Sequence, residues 1–178
     1  FPADISDSVS VNQLFREIDE SLGSVHVLVN NAAISGHRQK FLEIESQTIE
    51  RVFNTNVLGS FLCARESVRR MSTDNGGAGG TIINLSSQVA RFGGNKLLSY
   101  AASKGAIETF TIGLAREVAN QGIRVNAVSP GIIVAGEDLL GDPDAVHPAS
   151  ADIPLQRLGT PKEVAKAILW LASDEAAY

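Results

Sequence analysis

Apolar positions along this chain switch between two spacings. Val11, Leu14, Phe15, Ile18 and Leu22 follow the i, i+3, i+4, i+7 pattern of one helical face, with Asp7 or Ser8 as N-cap and Gly23 as a stop. "VHVLVN", from Val25, is a short β-branched run that reads as a strand. A long helical pattern follows through Ile49, Val52, Phe53, Val57, Phe61 and Val68, with Ser46 as its N-cap. "TIINLS" from Thr81 and "RVNAVS" from Arg124 are two further apolar strands. Between them, Tyr100 to Gln121 reads as a helix with Ile107, Phe110, Leu114 and Val118 along one side. "TPKE" is a capping box, with Thr160 as N-cap, Pro161 in the first turn and Glu163 reaching back. Val164, Ala167, Ile168 and Leu171 continue that helix.

Near-continuous apolar strands separated by helices predict a parallel sheet covered on both faces. Right-handed crossovers then make it a doubly wound, Rossmann-like α/β layer, here a single domain over residues 1–178. Two stretches read as connections: the Gly-rich "STDNGGAGG" from Ser72, and "AGEDLLGDPDAVHPASADIP" from Ala135. The second is long for a loop, and loops of that length are often functional.

Composition narrows the function classes. The net charge of −5 argues against nucleic acid or an anionic membrane as the main partner. The single cysteine, Cys63, forbids an internal disulfide and fits a reducing, cytoplasmic setting. It reads as a small buried hydrophobe. No apolar run is long enough to span a membrane, and "FPADISDSVS" lacks the basic and apolar parts of a signal peptide. His26, His37 and His147 show no metal-ligand spacing, and no metal site is expected. "NLS" at Asn84 matches a glycosylation acceptor, but it falls in a strand expected to be buried.

Ligands of such sheets bind beyond the carboxyl ends of the strands. Here those ends read "NNAA" (Asn30 to Ala33), "SSQ" (Ser86 to Gln88) and "SPG" (Ser129 to Gly131). All are small or amide-bearing, and three in succession indicate a cleft for a flat ligand. Asn56 lies on the apolar stripe of its helix and needs buried partners. Neighbouring backbone or water satisfies it in one reading; in the other it holds a water in a proton path. Tyr100 and Lys104, four apart, share a helical face. Alone, that pair reads as a core phenol beside a solvated lysine.

With "NNAA", "NTNVLG", "INLSS", "YAASK" and "NAVSPG" in this order, the chain resembles the short-chain dehydrogenase/reductase family, from Asp4 to its end. Ser87 precedes Tyr100 by 13 positions, a separation common in that family. Within it the sequence is most similar to bacterial glucose-dehydrogenase-like and sugar- or ketone-reducing members. The resemblance implies an oxidoreductase that interconverts an alcohol and a carbonyl with NAD or NADP. It assigns Tyr100 as acid/base and Lys104 as the cation that lowers its pKa and holds the nicotinamide ribose. Ser87 would hydrogen-bond the substrate oxygen, and Asn56 would hold the water linking Lys104 to solvent. Asp4, Asn31, Ala32 and Ala33 would line the adenosine side, and Pro130, Gly131 and Ile133 the nicotinamide. Substrate would be shaped by Ser87, Gln88, Gly94 and the lid from Ala135 to Pro154. Taken singly, Asp4 also reads as a turn or capping residue, and Pro130-Gly131 as chain punctuation. A homodimer or homotetramer through the two long helices, around Thr48 to Met71 and Tyr100 to Gln121, is also implied.

Departures from the family pattern carry expectations of their own. The family's Gly-rich phosphate loop and final strand find no counterpart, so a piece of a longer protein that binds dinucleotide poorly is expected. "GGAGG" at Gly76 to Gly80 lies before a strand, whereas a phosphate turn follows one. Ala33 replaces a commoner glycine, and Ala135 replaces a threonine that contacts the nicotinamide carboxamide. The residue that selects NAD or NADP lies outside the matched motifs. Two rivals remain: a hydrolase using Ser87, Asp138 and His147, which lacks the G-x-S-x-G elbow, and a catalytically inactive fragment or non-catalytic family member serving as a structural or oligomer-forming module.

Overall fold

The computed structural model describes residues 1–134 and 150–177. Helix α1 (Ser8–Leu22) begins where Asp7 accepts hydrogen bonds from the Val9 and Ser10 amides, and it stops at Gly23, whose φ is 83°. Strand β1 (Val27–Asn30) follows. The long helix read from the sequence is three pieces: α2 (Ser46–Phe53), a wide π-type turn (Asn54–Leu58) and α3 (Gly59–Met71). It starts one residue early, with Glu45 rather than Ser46 at the cap and no side-chain capping bond. Strand β2 (Gly80–Leu85), a short helix α4 (Val89–Phe92), helix α5 (Leu98–Val118) and strand β3 (Ile123–Val128) come next. Helix α6 (Pro161–Ala172) carries the anticipated capping box: Glu163 N donates to Thr160 Oγ1 at 3.3 Å, and Thr160 N donates to Glu163 Oε2 at 2.8 Å.

The three strands are parallel in the order β1-β2-β3. Stepping one way across the sheet with right-handed crossovers puts α3 and α5 on one face. That face holds the main core of Ala64, Met71, Ile82, Val118, Ile123 and Val125, all under 8% exposed. Helix α1 joins it against α3, through Val11 and Phe15 on Leu62 and Cys63. Each such buried side chain contributes roughly 1.5–3 kcal/mol. Arg70 reinforces the junction. It pairs with Asp19 of α1 at 2.7 Å and Glu66 of α3 at 3.0 Å, and its guanidinium lies 5.0 Å from the centre of the Phe15 ring.

Successive strand residues point to opposite faces. Val125 faces the α3–α5 core, while Arg124 reaches the other way to the end of α6, donating to Leu171 O at 2.9 Å and Ser173 O at 3.2 Å. Helix α6 therefore covers the second face, over β2 and β3. This is the doubly wound α/β arrangement that the hydrophobic pattern predicts. On β1, by contrast, Val27 and Val29 are 45% and 39% exposed: among the described residues this part of the second face is uncovered.

The Gly-rich segment is a structural crossing. Gly79 has φ 81°, and a Cβ there would come within 2.5 Å of the Gly122 carbonyl oxygen. A polar ladder runs through the core. Asn30 donates to Ser60 O of α3 at 3.3 Å and to Asn84 Oδ1 at 2.8 Å, and Asn84 donates to Thr111 Oγ1 of α5 at 2.9 Å. Asn84 is fully buried, so its sequon is a structural coincidence. Burial pushes the Cys63 thiol up to about 11, in keeping with a packing role.

Candidate active site

Because the strands run in parallel register, "NNAA", "SSQ" and "SPG" leave the same edge of the sheet. A cavity of about 520 Å³ opens there. Of the residues singled out from the sequence, Asn31, Ala33, Ser87, Tyr100, Lys104, Pro130, Gly131 and Ile133 line it. Its far wall is Pro161, Val164 and Ile168 of α6, a contribution that reads from sequence as ordinary helix core.

Tyr100 and Lys104 project from the first turns of α5. Lys104 is only 4% exposed; its ammonium lies 5.6 Å from the Tyr100 ring centre and donates to Leu85 O at 2.5 Å. Burial pushes this lysine down to about 8. The phenol behaves differently from the sequence expectation. Its pKa is raised, because burial of the hydroxyl outweighs a hydrogen bond with Ser87 that acts downward. The ammonium was expected to dominate and does not: it sits near the ring face and engages a carbonyl on β2. In this structure Tyr100 is a protonated acid at neutral pH.

Asn56, 1% exposed, is satisfied by protein groups. Its Oδ1 accepts from Ile34 N at 2.8 Å, and its Nδ2 donates to Ile34 O and to Ser103 Oγ, both at 2.9 Å. Ser103 donates in turn to the Tyr100 carbonyl at 2.7 Å. The carboxamide thus ties the segment after β1 to the helical turn bearing the tyrosine.

Other residues lie outside the cavity wall. Ala32 lines a separate apolar cleft beside β1, and Gly94 lines another with Gln39, Phe41 and Phe92. Gln88 places its Oε1 against Gly131, 3.4 Å from where a Cβ would stand. Asp4 turns back on its own loop, accepting from Ser6 N at 2.9 Å and Ser6 Oγ at 2.7 Å; these bonds hold its carboxyl below the usual range. Most of the long segment, with Ala135, Asp138 and His147, lies outside the described residues. Among the described residues, no cluster of His, Cys, Asp or Glu is arranged to hold a metal ion, and no helix is long and apolar enough to cross a membrane. Sequence reasoning missed Glu108 and took Ser103 only as a small residue, because their hydrogen-bond partners come from distant segments of the chain.

Residues 1–178 match the family profile described as enoyl-(acyl carrier protein) reductase. The chain belongs to the short-chain dehydrogenase/reductase family. It is 48% identical over 178 residues to the uncharacterized oxidoreductase YgfF of Escherichia coli K12, covering 99% of this chain and 72% of that protein. It is 39% identical over 184 residues to a glucose and ribitol dehydrogenase homolog of Oryza sativa subsp. japonica, covering 99% of this chain and 61% of that one. A solved structure of an ElxO tyrosine-to-phenylalanine variant with NADPH bound superposes with a TM-score of 0.88 at 32% identity, covering 98% of this chain and 70% of that chain. The fold of this dehydrogenase/reductase chain is therefore Rossmann-like, with a sheet of three described strands.

Proposed function

We propose that this chain carries the reaction site of an NAD- or NADP-linked oxidoreductase that interconverts an alcohol and a carbonyl. The observation that carries the reading is the Tyr100 phenol on the cavity wall beside Ser87 and a buried Lys104.

The residues present fit the nicotinamide, its ribose and the near side of the adenosine, while the pyrophosphate finds no glycine-rich turn among them. The strand ends offer Ala33 and Gly131, small enough for a flat ring to lie against backbone. An ammonium has three donors, and the Lys104 hydrogen bond to Leu85 O uses one, leaving donors suited to a ribose diol. Pro130, Gly131 and Ile133 would flank the nicotinamide, and Asn31 and Ala33 the adenosine side. The cofactor supplies the hydride; the protein positions both reactants.

In reduction, negative charge develops on the carbonyl oxygen as hydride arrives. Ser87 donates a hydrogen bond to that oxygen, and Tyr100 gives it a proton. Lys104 stabilises the phenolate left behind. Reprotonation from solvent resets the site, with Asn56 holding the turn that carries Tyr100. Gln88 and Gly94 would contact the rest of the substrate.

Solvent-exposed apolar groups on the long helices, Leu58, Phe61 and Ile112, support assembly as a homodimer or homotetramer. The reading is tested with Tyr100→Phe. NAD(P)H oxidation against a panel of ketones and sugars should fall about 10²–10⁴-fold, the range for loss of a general acid. Circular dichroism should be unchanged. Parent-level turnover in the variant would refute it.

A further inference from the structure

Glu108 lies one turn beyond Lys104 on α5 and does not line the cavity. Its carboxylate nevertheless reaches three separate segments. Ser129 Oγ donates to Oε1 at 2.7 Å, and Ser86 Oγ lies 3.2 Å from the same oxygen. Arg91 Nε, on α4, is 3.6 Å from Oε2. Ser86 Oγ is also 3.2 Å from the Lys104 carbonyl oxygen, so it bridges the carboxylate and the lysine's own helical turn. The Ser129 hydroxyl foremost holds the Glu108 carboxyl below its usual range, and Glu108 is ionised at neutral pH.

Each tethered group adjoins a residue of the site. Ser86 precedes Ser87, Ser129 precedes Pro130 and Gly131, and Arg91 sits in the turn after Gln88. Backbone bonds join the two strand ends to each other, Ser86 N to Val128 O at 2.8 Å and Gln88 N to Pro130 O at 3.0 Å. They do not reach the helix, which side-chain bonds tie to β2, through Lys104 on Leu85 O and Asn84 on Thr111, but which among these only Glu108 ties to the end of β3. A carboxylate oxygen has lone pairs for two hydroxyl donors and binds them more strongly than a neutral acceptor.

We propose that Glu108 is a positioning residue, one carboxylate that clamps the strand ends bearing Ser87 and Gly131 to the helix bearing Tyr100 and Lys104. The clamp matters for turnover only if that cavity is the reaction site, as proposed above, so one arm of its test is independent of turnover. The Gln88 amide, bonded to Pro130 O, reports on the junction.

In Glu108→Ala, hydrogen exchange at Gln88 should speed up by about 10-fold while Ile82 in mid-strand is unchanged, as for a local opening. Glu108→Gln keeps an acceptor oxygen and should stay within about 3-fold of the parent. Ser129→Ala removes one exposed hydroxyl, a change the fold tolerates, and should speed Gln88 by roughly 3-fold. In turnover, Glu108→Ala should lower kcat by about 10-fold with KM within about 2-fold. Adding Ser129→Ala should cost little more, because the two act through one contact. Gln88 exchange equal to the parent's in both Glu108→Ala and Ser129→Ala overturns the clamp, and so do multiplicative effects in the double variant. A parent protein with no turnover on any carbonyl would count against the proposed reaction, while exchange would still decide the clamp.

Discussion

A buried lysine beside a phenol invites an electrostatic account in which the cation makes the phenol acidic. Here the side chains settle the balance the other way. Lys104 and Tyr100 both pay for desolvation, and burial moves the lysine down to about 8 and the phenol up. A pH dependence follows. Below about 8 Lys104 is an ammonium and Tyr100 a phenol, the pair that reduction requires. As pH rises through that value the lysine loses its charge, and with it the cation proposed to stabilise the phenolate and hold a ribose. The kcat/KM for carbonyl reduction, which reports the free protein's pKa values, should be level at neutral pH and decline above about 8. Lys104→Met should lower the plateau and remove that decline. A parent profile level up to pH ~10, where free tyrosine titrates, would show that the lysine's charge has no part in the step.

At the scale of the elements, the wide turn at Asn54–Leu58 decides what Asn56 does. Set into an apolar stripe, its carboxamide braces Ile34 and, through Ser103, the Tyr100 turn. Asn56→Ala would leave the half-buried Ile34 amide and carbonyl without their partner, a loss of about 1–3 kcal/mol. Urea denaturation should show it as a lower midpoint with an unchanged slope, and a midpoint within error of the parent would mean that water replaces the amide. This element also marks how far the sequence can be read. Apolar spacing revealed α1, α5, α6 and all three strands, because each turns its apolar side chains toward the layer it packs on. It joined α2 to α3, because a wide turn rotates the apolar stripe without interrupting it. It also passed over α4, whose four residues are too few for a period. The cavity's strand-end residues were legible as small and polar side chains where a core has no use for them, whereas Tyr100 and Lys104, on α5, stood out only through the family resemblance. Glu108 was not legible, because a glutamate on a helix looks like a solvated one until Ser86 and Ser129 arrive from two different strands.

Across the whole molecule, the relative placement of the three strand ends fixes the shape of the cavity, and a buried polar ladder helps to set it. Asn30 and Asn84 are register partners on β1 and β2, each one residue short of the cavity wall. Apolar contacts alone tolerate sliding, whereas an amide that must meet Asn30 on one side and Thr111 on the other does not. Asn84→Ala would leave the Asn30 amide short of an acceptor and open a small void between β2 and α5. The expected loss is about 2–4 kcal/mol, from an unsatisfied buried donor and a cavity together. Thr111→Val removes the other end of the ladder and should cost about 1–3 kcal/mol, by stranding Asn84 Nδ2. Since both act on one network, the Asn84→Ala, Thr111→Val double variant should lose clearly less than the sum of the two, by about 1 kcal/mol or more. Strict additivity in urea titrations would mean that the amides merely fill space, and that packing between the sheet and α3 and α5 holds the strand ends in place without them.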